Sequence, residues 1–132
     1  MKKLLLTLSV LFISINSFSQ SYYYQSYQFA FKFINEYGYW TDWSDWEESD
    51  LLISIDLDND LIQINSKYPQ IYKITKFIKS FTDNSGGKQI EYEFISHDRI
   101  KGILRLRIES NGNSQIYIDY SDVMLVYNVL KI

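Results

Sequence analysis

Alternation of apolar and polar residues is the feature that most constrains this chain, and residues 51–66 show it clearly. The stretch reads LLISIDLDNDLIQINS, with apolar residues at alternate positions on both sides of Asp58 and Asn59. A period of two residues is that of a strand with one buried face. A loop at those two residues makes the two apolar faces coincide. The facing pairs are then Ile55 with Ile62 and Ile53 with Ile64.

Three aspartates at the tip of this hairpin, Asp56, Asp58 and Asp60, raise the question of a calcium site. An EF-hand loop needs glycine where Leu61 stands and glutamate where Lys67 stands. The aspartates are therefore interpreted as a solvated turn, with an irregular calcium site as the alternative. No metal site and no cofactor is predicted.

A second hairpin is predicted within residues 101–120, KGILRLRIESNGNSQIYIDY. A two-residue loop of Asn111 and Gly112 would set the apolar residue Ile108 against the polar residue Gln115. A three-residue loop, 111–113, sets apolar against apolar and is preferred. The predicted pairs are Ile108 with Ile116, Leu106 with Ile118, Leu104 with Tyr120, Arg105 with Asp119 and Arg107 with Tyr117.

Alternation recurs in residues 27–34 and 88–96, while residues 123–132 are apolar on both faces. Residues 70–81 fit a strand or a helical stripe, and a strand is predicted because of their Tyr and Ile content. The aromatic and aliphatic residues predicted to point inward are Tyr27, Phe29, Phe31, Phe33, Tyr72, Ile90, Tyr92 and Phe94.

About eight short antiparallel strands joined by tight turns can close into a barrel or fold as a sandwich. The predicted fold is all-β, a small antiparallel up-and-down barrel, with a β-sandwich as the alternative. In shape such a barrel resembles the small lipocalin-like barrels, a resemblance that implies one hydrophobic ligand held inside. A membrane-spanning barrel is disfavoured because outward positions carry charge. These positions are Lys32, Glu91, Glu93, Arg105 and Arg107.

The first nineteen residues have the pattern of a secretory signal peptide. Two lysines precede an apolar run over residues 4–15, and the small residues Ser17 and Ser19 stand at the two positions that a signal peptidase inspects before the expected cleavage at Gln20. An apolar run of this length is shorter than the roughly 20 residues needed to span a bilayer. Residues 20–132 are then a single domain, exported to the periplasm or the extracellular space of a bacterium and soluble there.

Charge and residue content restrict the function. Without the two lysines of the signal, eleven basic residues remain against sixteen acidic ones, so nucleic acid and anionic membranes are poor partners. There is no cysteine, and the single histidine, His97, lies in a predicted turn, so nucleophilic dyads and His or Cys metal sites lack their residues. No enzymatic activity is predicted.

All three tryptophans, Trp40, Trp43 and Trp46, lie in the stretch YWTDWSDWEES, residues 39–49. A spacing of three places side chains on one side of a 3₁₀ turn or of an extended left-handed segment. The letters WTDWSDW resemble the tryptophan run of thrombospondin type 1 repeats, and WSDWE is similar to the W-S-x-W-S box of cytokine receptors. The resemblance covers seven residues and implies stacking between indoles and arginines, not membership of either family.

Three interpretations of this stretch stay open. In the first, the indoles plug a barrel end or cover the outward face of residues 123–132. In the second they form a half-exposed binding platform, and in the third they lie in an exposed loop without a role. The binding interpretation predicts two functions. One is a non-enzymatic binding protein that holds a hydrophobic small molecule or a glycan in the barrel or on the tryptophans. The other is a module that binds or inhibits an envelope protein. The candidate ligand-binding residues are Trp40, Trp43, Trp46, Asp42, Asp45, Arg105 and Arg107.

Overall fold

The computed structural model describes residues 20–132, and in this part of the chain all regular structure is β-strand. The signal-peptide prediction falls on residues 1–19, outside the described residues. The strands are β1 Ser21–Phe33, β2 Glu47–Glu48, β3 Leu52–Asp56, β4 Leu61–Asn65, β5 Gln70–Thr82, β6 Lys88–Ser96, β7 Lys101–Ile108, β8 Ser114–Asp119 and β9 Val123–Lys131.

The strands form a closed antiparallel barrel, which confirms the predicted fold and excludes the sandwich. Each of the eight long strands pairs with its neighbours in chain order, and β9 pairs back onto β1. The two-residue strand β2 adds to the other edge of β1. Residues 70–81 lie within β5, so the strand prediction is confirmed there. In residues 20–132 no helix is long and apolar enough to cross a membrane.

The interior of the barrel is filled by side chains from all eight long strands. They alternate along each strand with outward residues, as a period of two requires. Many are completely buried, so the space inside the closed sheet is occupied by protein. The core consists of Tyr24, Ile53, Ile55, Ile62, Ile64, Tyr72, Ile74, Phe94, Leu104, Leu106, Ile116, Ile118, Tyr127 and Val129.

The strand β1 contains a bulge that changes which residues point inward. Its pairing with β9 shifts between Ser26 and Gln28, so the inward series runs through Tyr24 and Ser26 and continues at Phe29. The prediction that Tyr27 points inward is wrong, because this residue lies at the bulge and is 42% exposed. An extra residue in one strand reverses the alternation beyond it.

The β3–β4 hairpin has the predicted register, with Ile55 opposite Ile62 and Ile53 opposite Ile64. Its turn is longer than two residues, since the pairing ends at Asp56 and Leu61. The Asp56 carboxylate accepts hydrogen bonds from the N–H groups of residues 58 and 59 and from the Asn59 side chain. These bonds, the side-chain bond from Asn59 foremost, lower the pKa of Asp56. The carboxylate closes the turn, as a solvated Asx turn does.

The β7–β8 hairpin differs from the predicted register by two residues. Leu106 faces Ile116 and Leu104 faces Ile118, so the buried face is correct although each partner is wrong. The three-residue loop is 110–112, closed by a hydrogen bond from the Glu109 N–H to the Asn113 carbonyl. Gly112, with φ of 89°, takes the third loop position. That position requires the left-handed conformation, which is why glycine stands there.

Candidate functional site

The tryptophan loop, residues 34–49, runs back along β1 and is hydrogen-bonded to it at regular intervals. Thr41 donates its N–H to the Phe33 carbonyl at 2.8 Å and accepts the Phe33 N–H through its hydroxyl at 3.1 Å. Ser44 does the same with Phe31, at 2.8 Å and 2.9 Å. In both cases the backbone N–H donates as that of a neighbouring strand would, and the side-chain hydroxyl takes the place of the strand's carbonyl acceptor.

This pairing explains the spacing of three in the sequence. Glu47 continues the series by pairing with Phe29. The loop therefore advances three residues, from 41 to 44 to 47, while β1 advances two. Each tryptophan immediately precedes one of these bonded residues, so the three indoles repeat at the same interval along the strand.

The indoles lie in a row of aromatic rings and cations on the outer face of the barrel. The Lys32 ammonium is 5.5 Å from the centre of the Trp40 ring and 4.8 Å from that of Trp43. Trp43 meets Tyr117 edge to face at 6.3 Å, and the Arg105 guanidinium is 4.2 Å from the Tyr117 ring. Ammonium and guanidinium groups within about 6 Å of a ring centre attract its negative face.

The two arginines predicted to stack on the tryptophans lie in different places. Arg105 stacks on Tyr117, which is its partner across the strands, and forms an ion pair with Asp119. Arg107 faces Gln115 and forms an ion pair with Asp83 at 3.4 Å, so it is not part of the row. The cation between the indoles is Lys32. The alternation in β1 indicates that Lys32 points outward, but the sequence alone does not show which strand the loop covers.

Trp43 and Trp46 line a slot of about 200 Å³ above the outer face of the barrel. These two indoles are 39% and 47% exposed, whereas Ala30 and Val126, which also line the slot, are 2% and 3% exposed. Val126 lies on the outward face of β9, opposite Ala30. The indoles therefore cover part of that face and keep about half of their own surface open to solvent.

Polar side chains border the slot and are held in a hydrogen-bonded chain across three strands. The Tyr117 hydroxyl donates to Gln115, whose amide donates to Asn128 at 2.9 Å. The Asn128 amide in turn donates to Gln28 at 3.0 Å. Each bond orients the next amide, so the polar groups are fixed before any ligand arrives. Gln115, Tyr117 and Ser44 line the slot itself.

Acidic side chains flank the indoles on the solvent side. Asp42, Asp45, Glu47 and Glu48 are exposed, and none of them takes part in the ion pairs found among residues 20–132. The structure thus brings the predicted Asp42 and Asp45 next to the tryptophans, although on the solvent side of the loop. Within residues 20–132 no cluster of three or more metal-ligating residues is found.

No protein family, no curated protein and no solved structure was found to match this chain. The fold and the geometry of the outer face are therefore the basis for assigning a function.

Proposed function

We propose that this chain is a small exported, non-enzymatic binding protein, and that the slot between Trp43 and Trp46 binds a sugar ring of a glycan. The observation that supports this proposal is the slot itself, which has half-exposed indoles, a buried apolar floor and polar groups at its edge. A sugar ring has an apolar C–H face and a rim of hydroxyls. The C–H face packs on an indole, and the hydroxyls form hydrogen bonds with amide and hydroxyl groups.

The size of the slot supports a single ring. Its volume of about 200 Å³ is below the range of about 300 to 1,000 Å³ that is usual for drug-sized ligands. The filled interior argues against the hydrophobic ligand that a lipocalin-like shape implies, because the core side chains occupy the space in which such a molecule would lie. The outer face is the more suitable binding surface.

Three carboxylates of the described residues are poorly suited to be the acid of a glycosidase. Hydrogen bonds lower the pKa of Asp56, Asp83 and Glu93, in each case foremost a side-chain bond, from Asn59, Ser85 and Thr75 respectively. A glycosidase acid needs a raised pKa so that it carries a proton near neutral pH. These three carboxylates are held in the charged form instead.

The test is iodide quenching of tryptophan fluorescence with and without envelope glycans. A sugar ring bound in the slot should protect from iodide the part of the emission that comes from Trp43 and Trp46. Trp43→Ala and Trp46→Ala should each weaken glycan binding at least about tenfold, the loss of roughly 1.4 kcal/mol that removal of one stacked ring entails. Trp40→Ala is the matched control, since Trp40 is equally exposed at 39% but does not line the slot.

Failure of every glycan to protect the indoles would contradict the proposal, as would equal losses in the Trp40 and Trp43 variants. A fatty acid series serves as the comparison ligand. Protection by a fatty acid alone would indicate an apolar ligand on the tryptophan face instead.

A second candidate function is binding of a basic protein surface, and the exposed carboxylates beside the indoles favour it. Exposed charge pairs are screened by salt, whereas a stacked neutral ring is not. Asp42→Asn with Asp45→Asn should leave glycan binding unchanged. If protein binding is the function, the same double variant should weaken it and abolish most of its salt dependence.

A further inference from the structure

A cleft at one end of the barrel has the composition of a second, separate ligand site. The β4–β5, β6–β7 and β8–β9 connections meet at this end and enclose a cleft of about 580 Å³. This volume falls within the range usual for small-molecule sites, which often lie at the mouths of barrels. The tryptophan slot is lined by a different set of residues.

The upper walls of the cleft are apolar and open to solvent. Ile71 is 47% exposed, Ile100 is 53% exposed, and the ring of Tyr68 is more exposed still. Ile71 lies on the outward face of β5, opposite Gln63, whereas Ile100 lies opposite Ser96, on the same face as Tyr72. Ile100 is therefore the exposed apolar side chain nearest in the sheet to the inner part of the cleft. Exposed apolar side chains around a depression are characteristic of sites that a ligand covers.

The inner part of the cleft contains tyrosine hydroxyls fixed by the core. The Tyr72 hydroxyl donates to the Gln70 side chain at 2.8 Å, and Tyr120 is its second hydrogen-bonding neighbour. Both tyrosine rings pack against Phe94, with centres 4.7 Å and 5.6 Å away. The pKa of Tyr72 is raised, first by burial and then by the hydrogen bond with Tyr120, so the hydroxyl stays neutral.

The charge of the cleft selects against anions. Asp98 is the lining residue with a formal charge at neutral pH, and it is negative. A carboxylate or phosphate group would lie near this charge with no lining cation to balance it. An uncharged polar group, by contrast, can exchange hydrogen bonds with neutral tyrosine hydroxyls.

We propose that this cleft binds a small uncharged aromatic alcohol, with its ring against Ile100 and its hydroxyl at Tyr72 and Tyr120. The apolar walls provide burial for the ring faces. The Tyr72 oxygen, whose proton is donated to Gln70, can accept a hydrogen bond from the ligand hydroxyl, and the Tyr120 hydroxyl can donate one to it. This site is independent of the tryptophan slot and of any glycan bound there.

The test is equilibrium dialysis of the protein against 2-naphthol, with naphthalene and 2-naphthoate as comparison ligands. Saturable binding of 2-naphthol is expected, with 2-naphthoate at least about tenfold weaker because its charge approaches Asp98. Ile100→Asp should weaken 2-naphthol binding at least about tenfold. Ile103→Asp is the matched control, since Ile103 is a 36% exposed isoleucine of the strand that follows and does not line the cleft.

A second pair of variants tests the hydroxyl without removing a ring. Tyr72→Phe should weaken 2-naphthol binding about fivefold, through the loss of one hydrogen bond, and leave naphthalene binding unchanged. Tyr127→Phe removes a buried hydroxyl outside the cleft and should change neither. Melting temperatures establish that each variant is folded.

Three results would overturn the proposal: no saturable 2-naphthol binding by the wild-type protein, equal losses in the Ile100 and Ile103 variants, or equal affinity for 2-naphthoate. The Trp43→Ala, Trp46→Ala double variant should bind 2-naphthol as the wild type does. A loss in that variant would place the ligand on the tryptophan face and also overturn the proposal.

Discussion

Four turns of this protein share one backbone geometry, and a single residue departs from the pattern. The turns that follow Asn35, Asp83, Ser96 and Glu109 each have a hydrogen bond from the fourth residue to the first carbonyl and one from the first N–H to the fifth carbonyl. The fourth residue has positive φ in every case. It is glycine in three turns and Arg99, with φ of 63°, in the β6–β7 turn. A side chain at positive φ is strained.

Arg99→Gly should therefore stabilise the protein by about 0.5 to 1 kcal/mol. Glycine removes the strain of the left-handed conformation, and part of this gain is offset because glycine makes the unfolded chain more flexible. Urea unfolding measures the change. The opposite substitution, Gly112→Ala, is the matched comparison and should destabilise the β7–β8 turn by a similar amount. A destabilised Arg99→Gly protein would show that the arginine makes contacts that outweigh its strain.

At the scale of elements, alternation predicted the strands better than their pairing. The β3–β4 register is correct because apolar residues on both strands agree on it, and strand β5 was correctly chosen over a helix. The predicted β7–β8 register is wrong because two registers bury the same face. Only the turn geometry, which the position of Gly112 determines, distinguishes them. The alternation of residues that precede the bulge in β1 gives no sign of the extra residue.

The tryptophan loop shows why the candidate site was only partly predictable. Spacing of three indicated that the indoles share a side, but its cause is the pairing of Thr41 and Ser44 with β1 through hydroxyls. Lys32 was predicted only as an outward charge, and Tyr117 only as a cross-strand partner of Arg107. Their contacts with the indoles depend on which outer face the loop crosses. Tertiary packing on Ala30 and Val126, and not the local sequence, determines which outer face the loop crosses.

Ser44→Ala should loosen the tryptophan loop. The substitution leaves the Phe31 N–H without its acceptor at a half-buried place, which should cost about 1 kcal/mol. It should also increase iodide quenching of the tryptophan emission, because the loop loses one of the two hydrogen bonds that attach it to β1 between Trp43 and Trp46. Ser44→Thr keeps the hydroxyl and should restore both properties. Unchanged quenching in the alanine variant would mean that packing alone holds the loop.

At the scale of the whole molecule, the barrel depends on its core, since the chain has no cysteine. Alternation predicted an inward face rich in aromatic residues. Whether that interior is hollow or filled depends on how side-chain volume compares with the width of the barrel, which alternation does not determine. The structure shows a filled interior that includes several tyrosines. Burial raises the pKa of five of them: Tyr24, Tyr72, Tyr92, Tyr120 and Tyr127.

These tyrosines predict that the barrel loses stability in alkaline solution. A tyrosine whose pKa is higher in the folded than in the unfolded protein contributes its full stability below the unfolded value of 10.0. The contribution falls as the pH rises above that value, and for Tyr127 the loss continues through its folded pKa of about 12. The melting temperature should therefore be level near neutral pH and fall progressively above pH 10.0. Tyr127→Phe should reduce the alkaline fall, whereas Tyr37→Phe, which changes a residue that is 75% exposed, should not. An equal fall in wild type and Tyr127→Phe would show that the buried hydroxyl does not control the alkaline transition.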